Sequence, residues 1–220
     1  MKYKYLHLLA VILLTHSSMN GQMYFPSNAT NQWDTISPQS LSWCVDKIPP
    51  FYSFLDSNNT KGFILLKNGK IVLEKYFGAF TKDSNWYWAS AGKTLTAFCI
   101  GIAKQEGKIK LSDTSSKYLG LGWTSMTKSQ EDRVTIRHQL TMTSGMIDTG
   151  IFFECTTKAC LKYKADAGTR WAYHNAPYTL LDSVLESATG MDLNTFIYNK
   201  ISPYTAIGGT YIKTGFNNVF

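Results

Sequence analysis

Apolar residues recur after Ser90 at Ala91, Leu95, Phe98, Cys99, Ile102 and Ala103. This spacing puts them on one face of an α-helix, and Gly107 supplies its stop. The stretch therefore has to pack as an amphipathic helix, and its opening turn carries Ser90 and Lys93. Side chains three positions apart share a helix face. A serine hydroxyl is a poor nucleophile without a base beside it, and a lysine amine can be that base when its surroundings disfavour its charge. Free N–H groups and the helix dipole at the same end favour developing negative charge. The bland alternative is that Ser90 only caps the helix. Upstream, Trp86-Tyr87-Trp88-Ala89 could wall a pocket. A second Ser-x-x-Lys, Ser125 to Lys128, lies in the polar stretch 124–132 with no apolar face behind it, and is read as coincidence in a loop.

A second segment bears on the first. Arg170-Trp171-Ala172-Tyr173-His174-Asn175 precedes a helix whose first turn accommodates Pro177. Pro177, Leu180, Leu181, Val184, Leu185 and Ala188 form its apolar stripe, and Gly190 ends it. Tyr173 and Asn175 sit just before this helix, where side chains can face a cleft. A phenol there could exchange protons with a serine, and an amide could bond both a lysine and a substrate carbonyl. The alternative is a core tyrosine beside a capping asparagine.

Several segments, in order, resemble the β-lactamase-related serine hydrolases, the group of class C β-lactamases, D-alanyl-D-alanine carboxypeptidases and related esterases. Asn85 to Phe98 is similar to the nucleophile segment, with its S-x-x-K. Glu106 to Asp113 is similar to the turn that follows. Val134-Thr135-Ile136-Arg137-His138-Gln139-Leu140-Thr141-Met142-Thr143-Ser144-Gly145-Met146 resembles the family's I-R-H-L-L-T-H-T-S-G-L stretch, and 167–190 its P-G-x-x-W-x-Y-S-N segment. The resemblance runs from about Gly62 to the last residues. It implies an α/β (α+β) β-lactamase/transpeptidase-like fold: N-terminal strands, then a helical region.

It also implies roles. Ser90 is the acylated nucleophile, Lys93 helps to deprotonate it, Tyr173 shuttles the proton and Asn175 orients substrate and lysine. The Ser90 N–H would be one oxyanion donor. No metal or organic cofactor is needed. The implied substrate is a small molecule or peptidoglycan-like: a β-lactam, D-amino-acid peptide or ester carbonyl. The family's third motif, K-T-G or H-T-G, lies far downstream of Tyr-x-Asn. Lys213-Thr214-Gly215 matches as a string but follows Asn175 too closely, and is set aside. The closing strands of the family sheet are thus expected to be missing. An acylatable sensor without turnover, and an inactive fragment of a longer enzyme, stand as alternatives to the hydrolase.

The N-terminus reads as a signal peptide over 1–21: Lys2 and Lys4, an apolar run Leu8 to Leu14, then a small, polar stretch. That run is too short to span a bilayer, so export to the periplasm or medium is expected, with 22–220 as one incomplete domain and no integral span after cleavage. Net charge is +7, but the lysines are scattered, which argues against nucleic acid. Export permits a disulfide, and Cys155 and Cys160 bracket a short polar loop suited to one. Cys99 is expected to be a buried thiol, and Cys44 has no obvious partner. No pair has the spacing of a zinc site. A Ser-His-Asp triad would need His138 or His174. His138 falls in a helical pattern, and His174 should point away from its neighbours Tyr173 and Asn175. No G-x-S-x-G elbow is present. Glu154 and Asp166 are nearby acids that nothing marks as a water-activating base. Asn68-Gly69 between Phe63–Leu66 and Ile71–Leu73 predicts a hairpin. A helix within 40–55 is expected to be interrupted by Pro49-Pro50, behind an exposed lead-in over 23–40.

Overall fold

A computed structural model describes residues 24–30, 32–214 and 217–219. The expected leader lies outside the described residues. The chain divides into two compact units, meeting in sequence between Ser84 and Asn85.

In the first unit, β1 (Gly62–Lys67) and β2 (Lys70–Tyr76) form the expected antiparallel hairpin, with an irregularity between Leu65 and Leu66. Asn68 and Gly69 both take positive φ, 51° and 84°. That combination matches the right-handed twist of the strands, which is why Asn-Gly fits here. The lead-in is mostly exposed but not idle. Ile71 N–H donates to the Asp34 carbonyl at 2.9 Å, and Ile36 N–H to the Ile71 carbonyl at 2.8 Å, so 34–36 extend the sheet. Helix α1 (Ile48–Ser57) corrects the expectation for Pro49-Pro50. The prolines lie in its first turn, where missing N–H groups leave no helical bond unmade, so they start the helix rather than interrupt it. Its Phe51 ring meets Phe63 edge-on at 5.1 Å.

The second unit is mainly helical. A 3₁₀ turn (Ala89–Ala91) leads into α2 (Gly92–Gln105). Then come α3 (Ser116–Leu119), α4 (Lys128–Glu131), α5 (Ile136–Leu140), α6 (Asn175–Thr179), α7 (Leu181–Thr189), α8 (Leu193–Lys200) and α9 (Ser202–Thr205). Strands β3 (Ile212–Thr214) and β4 (Asn217–Val219) form a second antiparallel hairpin. The core packs Leu95, Cys99, Ile100 and Ala103 of α2 against Leu181, Val184 and Leu185 of α7 and Phe196 of α8. The buried face of α2 is rotated from the expected one: Phe98 is 58% exposed, while Ile100 is fully buried. The single helix expected after Asn175 is two, jointed at Leu180, and Gly190 ends the second at φ 74°.

Polar groups lock this core. Gln139 is fully buried, accepting from Ser115 Oγ at 2.8 Å and donating to the Pro177 carbonyl at 2.8 Å. Glu131 is also buried, and accepts from the Gly122 and Thr124 N–H groups and from the Ser116 and Thr124 hydroxyls. The second Ser-x-x-Lys is spent on structure. Thr127 caps α4, Lys128 pairs with Asp132, and Ser125 donates to the Leu161 carbonyl. No described helix is long and apolar enough to cross a membrane.

Candidate active site

Ser90 lies in the 3₁₀ turn that opens α2, preceded by Ala89 at φ 46°. A left-handed backbone at a residue with a β-carbon is strained by about 1–2 kcal/mol, and such strain is often found at functional sites. Ser90 does not cap the helix: Ala91 holds that position, with no side-chain cap bond. Its hydroxyl instead accepts from Lys93 Nζ at 3.1 Å, the juxtaposition the spacing predicts. Ser90 is exposed and Lys93 half-buried.

The second segment closes around the same lysine. Lys93 Nζ stands 5.4 Å from the Tyr173 ring centroid and 5.8 Å from that of Tyr178. Both fall within cation–π range. Tyr178 also donates its hydroxyl to the Lys93 carbonyl at 2.8 Å, which fixes α6 to the start of α2. Burial, then the neighbouring Tyr211 and Tyr173, pushes the Tyr178 phenol up to about 12, so it stays a donor. The Tyr211 hydroxyl donates to the Gly92 carbonyl and contacts Thr96 Oγ1 at 3.2 Å, securing the next turn. Ser90, Lys93 and Tyr173 are thus brought together. Asn175 opens α6, one turn before Tyr178 and on the same face.

Asn175 is 8% exposed, and its Nδ2 donates to Glu154 Oε1 at 2.8 Å. Its Oδ1 is buried and has no hydrogen-bond partner among the described residues. Glu154 is the contact that sequence reasoning missed. His174 is buried. Its Nε2 donates to the Phe152 carbonyl at 2.8 Å, and burial holds its pKa below the ordinary value. His138 is structural: its ring closes the capping box at the start of α5. Asp166 pairs with Arg133, and Asp148 accepts from both Arg170 and Lys164 at 2.8 Å. The Arg170 and Lys164 hydrogen bonds hold the Asp148 carboxyl well below the usual range.

Cys155 and Cys160 form the expected disulfide, with Cα atoms 5.8 Å apart. Cys99 is a fully buried thiol, which burial pushes up to about 12, and Cys44 is free and exposed. Among the described residues, no group of three or more His, Cys, Asp or Glu is placed to hold a metal ion. Backbone pairing puts Lys213 and Thr214 in β3, opposite Asn218 and Asn217.

The Beta-lactamase family model matches residues 61–212. An uncharacterized protein of Alkalihalophilus pseudofirmus is 25% identical over 173 residues, covering 74% of this chain and 45% of that one. FmtA from Staphylococcus aureus has a similar fold, with a TM-score of 0.60 and 20% identity over 79% of this chain and 51% of that one. An octameric penicillin-binding protein homologue from Pyrococcus abyssi has a TM-score of 0.59 and 21% identity over 73% and 42%. The chain spans about half the length of these relatives. With a β-lactamase/transpeptidase-like fold and a family match over most of its length, the chain belongs to the Beta-lactamase family.

Proposed function

We propose that this chain is an exported serine hydrolase working through an acyl-enzyme, with Ser90 as nucleophile. The hydrogen bond between Lys93 Nζ and Ser90 Oγ carries the reading, with the Tyr173 ring near the same nitrogen. In the reaction, the neutral amine of Lys93 takes the hydroxyl proton as Oγ bonds to the substrate carbonyl carbon. The carbonyl oxygen becomes an oxyanion, with the Ser90 N–H at the helix start as one donor. Tyr173 passes a proton to the departing nitrogen or oxygen as its bond to the acyl carbon breaks, and regains one from Lys93, whose amine is then neutral again. Water then attacks the acyl-enzyme, releases the acid and returns the proton to Ser90. Asn175 Oδ1, which has no partner among the described residues, would accept from Lys93 in the reacting complex, and its amide would help to orient substrate.

The substrate class is a small-molecule or peptidoglycan-like carbonyl: a β-lactam, a D-amino-acid peptide or an ester. Residues 1–21 are the leader of this reading and 22–220 its functional part. The test is turnover of a chromogenic cephalosporin and a p-nitrophenyl ester by the chain beside Ser90→Ala and Lys93→Met. Turnover lost in both variants supports the roles. Turnover that survives Ser90→Ala overturns them.

A further inference from the structure

The strip Phe152–Glu154 touches each member of Tyr173-His174-Asn175 in turn. The Phe153 ring stacks on Tyr173 at 6.1 Å and on His174 at 6.4 Å. The Phe152 carbonyl accepts from His174, and Glu154 Oε1 accepts from Asn175 Nδ2 at 2.8 Å. The next residue, Cys155, is tied covalently to Cys160. The strip therefore backs the whole segment, and its far end is fastened.

The two ends of an asparagine amide are chemically opposite: Nδ2 only donates and Oδ1 only accepts. An ionised carboxylate only accepts, so it can face only the nitrogen. Asn175 is 8% exposed, and its Oδ1 has no partner among the described residues. A buried carbonyl oxygen is unfavourable until something donates to it.

We propose that Glu154 is a positioning residue that sets the orientation of the Asn175 amide. By claiming the nitrogen, it leaves the oxygen as the end offered to a donor. On the functional reading above, on which this inference rests, that donor is Lys93. Without Glu154 the amide can turn over and face Lys93 with N–H, which cannot accept a hydrogen bond from the lysine. Glu154 acts through Asn175 rather than on a reacting atom.

The test compares Glu154→Gln with the wild type and with Glu154→Asp. The substituted glutamine has nearly the same shape as the glutamate but can present either end to the amide. Phosphonylation of Ser90 by a fluorophosphonate (Oγ bonds to phosphorus as fluoride leaves), followed by intact mass, should slow about 10- to 100-fold in Glu154→Gln, the scale of one hydrogen bond to a charged group. The melting temperature should hold. Glu154→Asp, which keeps a carboxylate that can only accept, should regain much of the rate. In parallel, NMR of the Asn175 side-chain amide should show its bonded proton moving upfield in Glu154→Gln. An unchanged rate and amide signal in Glu154→Gln would overturn the proposal. So would a rate that falls only in step with melting temperature, without rescue. If the wild type does not acylate, the functional reading fails on its own. The amide signal then still reports whether Glu154 holds Asn175.

Discussion

Replacing Gln139 by Met removes two polar ends while nearly keeping the shape of a fully buried side chain. The substitution leaves the Ser115 hydroxyl without its acceptor and the Pro177 carbonyl without the Nε2 donor, each now bonded at 2.8 Å. A buried polar group that loses its partner costs about 1–3 kcal/mol. The added apolar burial returns roughly 1 kcal/mol. The expected loss is therefore about 1–5 kcal/mol, a large share of the ~5–15 kcal/mol that holds a typical domain. Urea unfolding followed by far-UV circular dichroism reads it as a lower midpoint with an unchanged slope. Adding Ser115→Ala removes one of the stranded groups, so the double variant should recover about 1 kcal/mol relative to the sum of the singles. Because Pro177 lies in α6, two residues beyond Asn175, acylation should also slow. A loss below about 0.5 kcal/mol for Gln139→Met, within the range of ordinary surface changes, would refute the reasoning.

Other consequences follow from single features. Gly145 takes φ 75°, and a Cβ there would stand 2.1 Å from the Ala165 carbonyl oxygen. Gly145→Ala should therefore lower stability by ~3 kcal/mol or more, measured by thermal unfolding. His174 is held neutral by burial, so its folded pKa lies below the unfolded value of 6.5. Its contribution is complete above that value and is lost as pH falls from there through the folded pKa; a urea midpoint that drops between neutral and mildly acidic pH, and drops less in His174→Gln, checks the sign. Asp113, held down to about 2 by Lys117 and then Tyr118, adds a later loss as pH falls from 3.8 through that value. Reducing the Cys155–Cys160 bridge should cost about 2 kcal/mol for so short a loop. It should also slow acylation by loosening the strip that ends at Glu154, read by intact mass with and without reductant.

What could be read in advance depended on range. The Ser90–Lys93 pair and the Asn68-Gly69 hairpin are set by residues within one turn of each other, so spacing alone locates them. The Cys155–Cys160 bridge is similarly local, with a separation of 5. The rotated face of α2 was not legible. Both Phe98 and Ile100 are apolar, and only packing against α7 and α8 decides which is buried. Pro49-Pro50 misled because proline breaks a helix interior but suits its first turn. Glu154 was the hardest to find. It meets Asn175 across 21 residues of chain, and in sequence it is one acid among several. Gln139 poses the same problem, with partners 24 and 38 residues away. A polar residue that the fold buries carries no local sign of it.

The central claim is that Lys93 activates Ser90 as a nucleophile. Its most direct test is exposure of the chain to a fluorophosphonate and, separately, to a penicillin, with intact mass and fragment mapping of the adduct. One added group is expected on Ser90, and none in Ser90→Ala or Lys93→Met. Folded protein that gains no mass from either reagent, or that carries the group elsewhere, would contradict it.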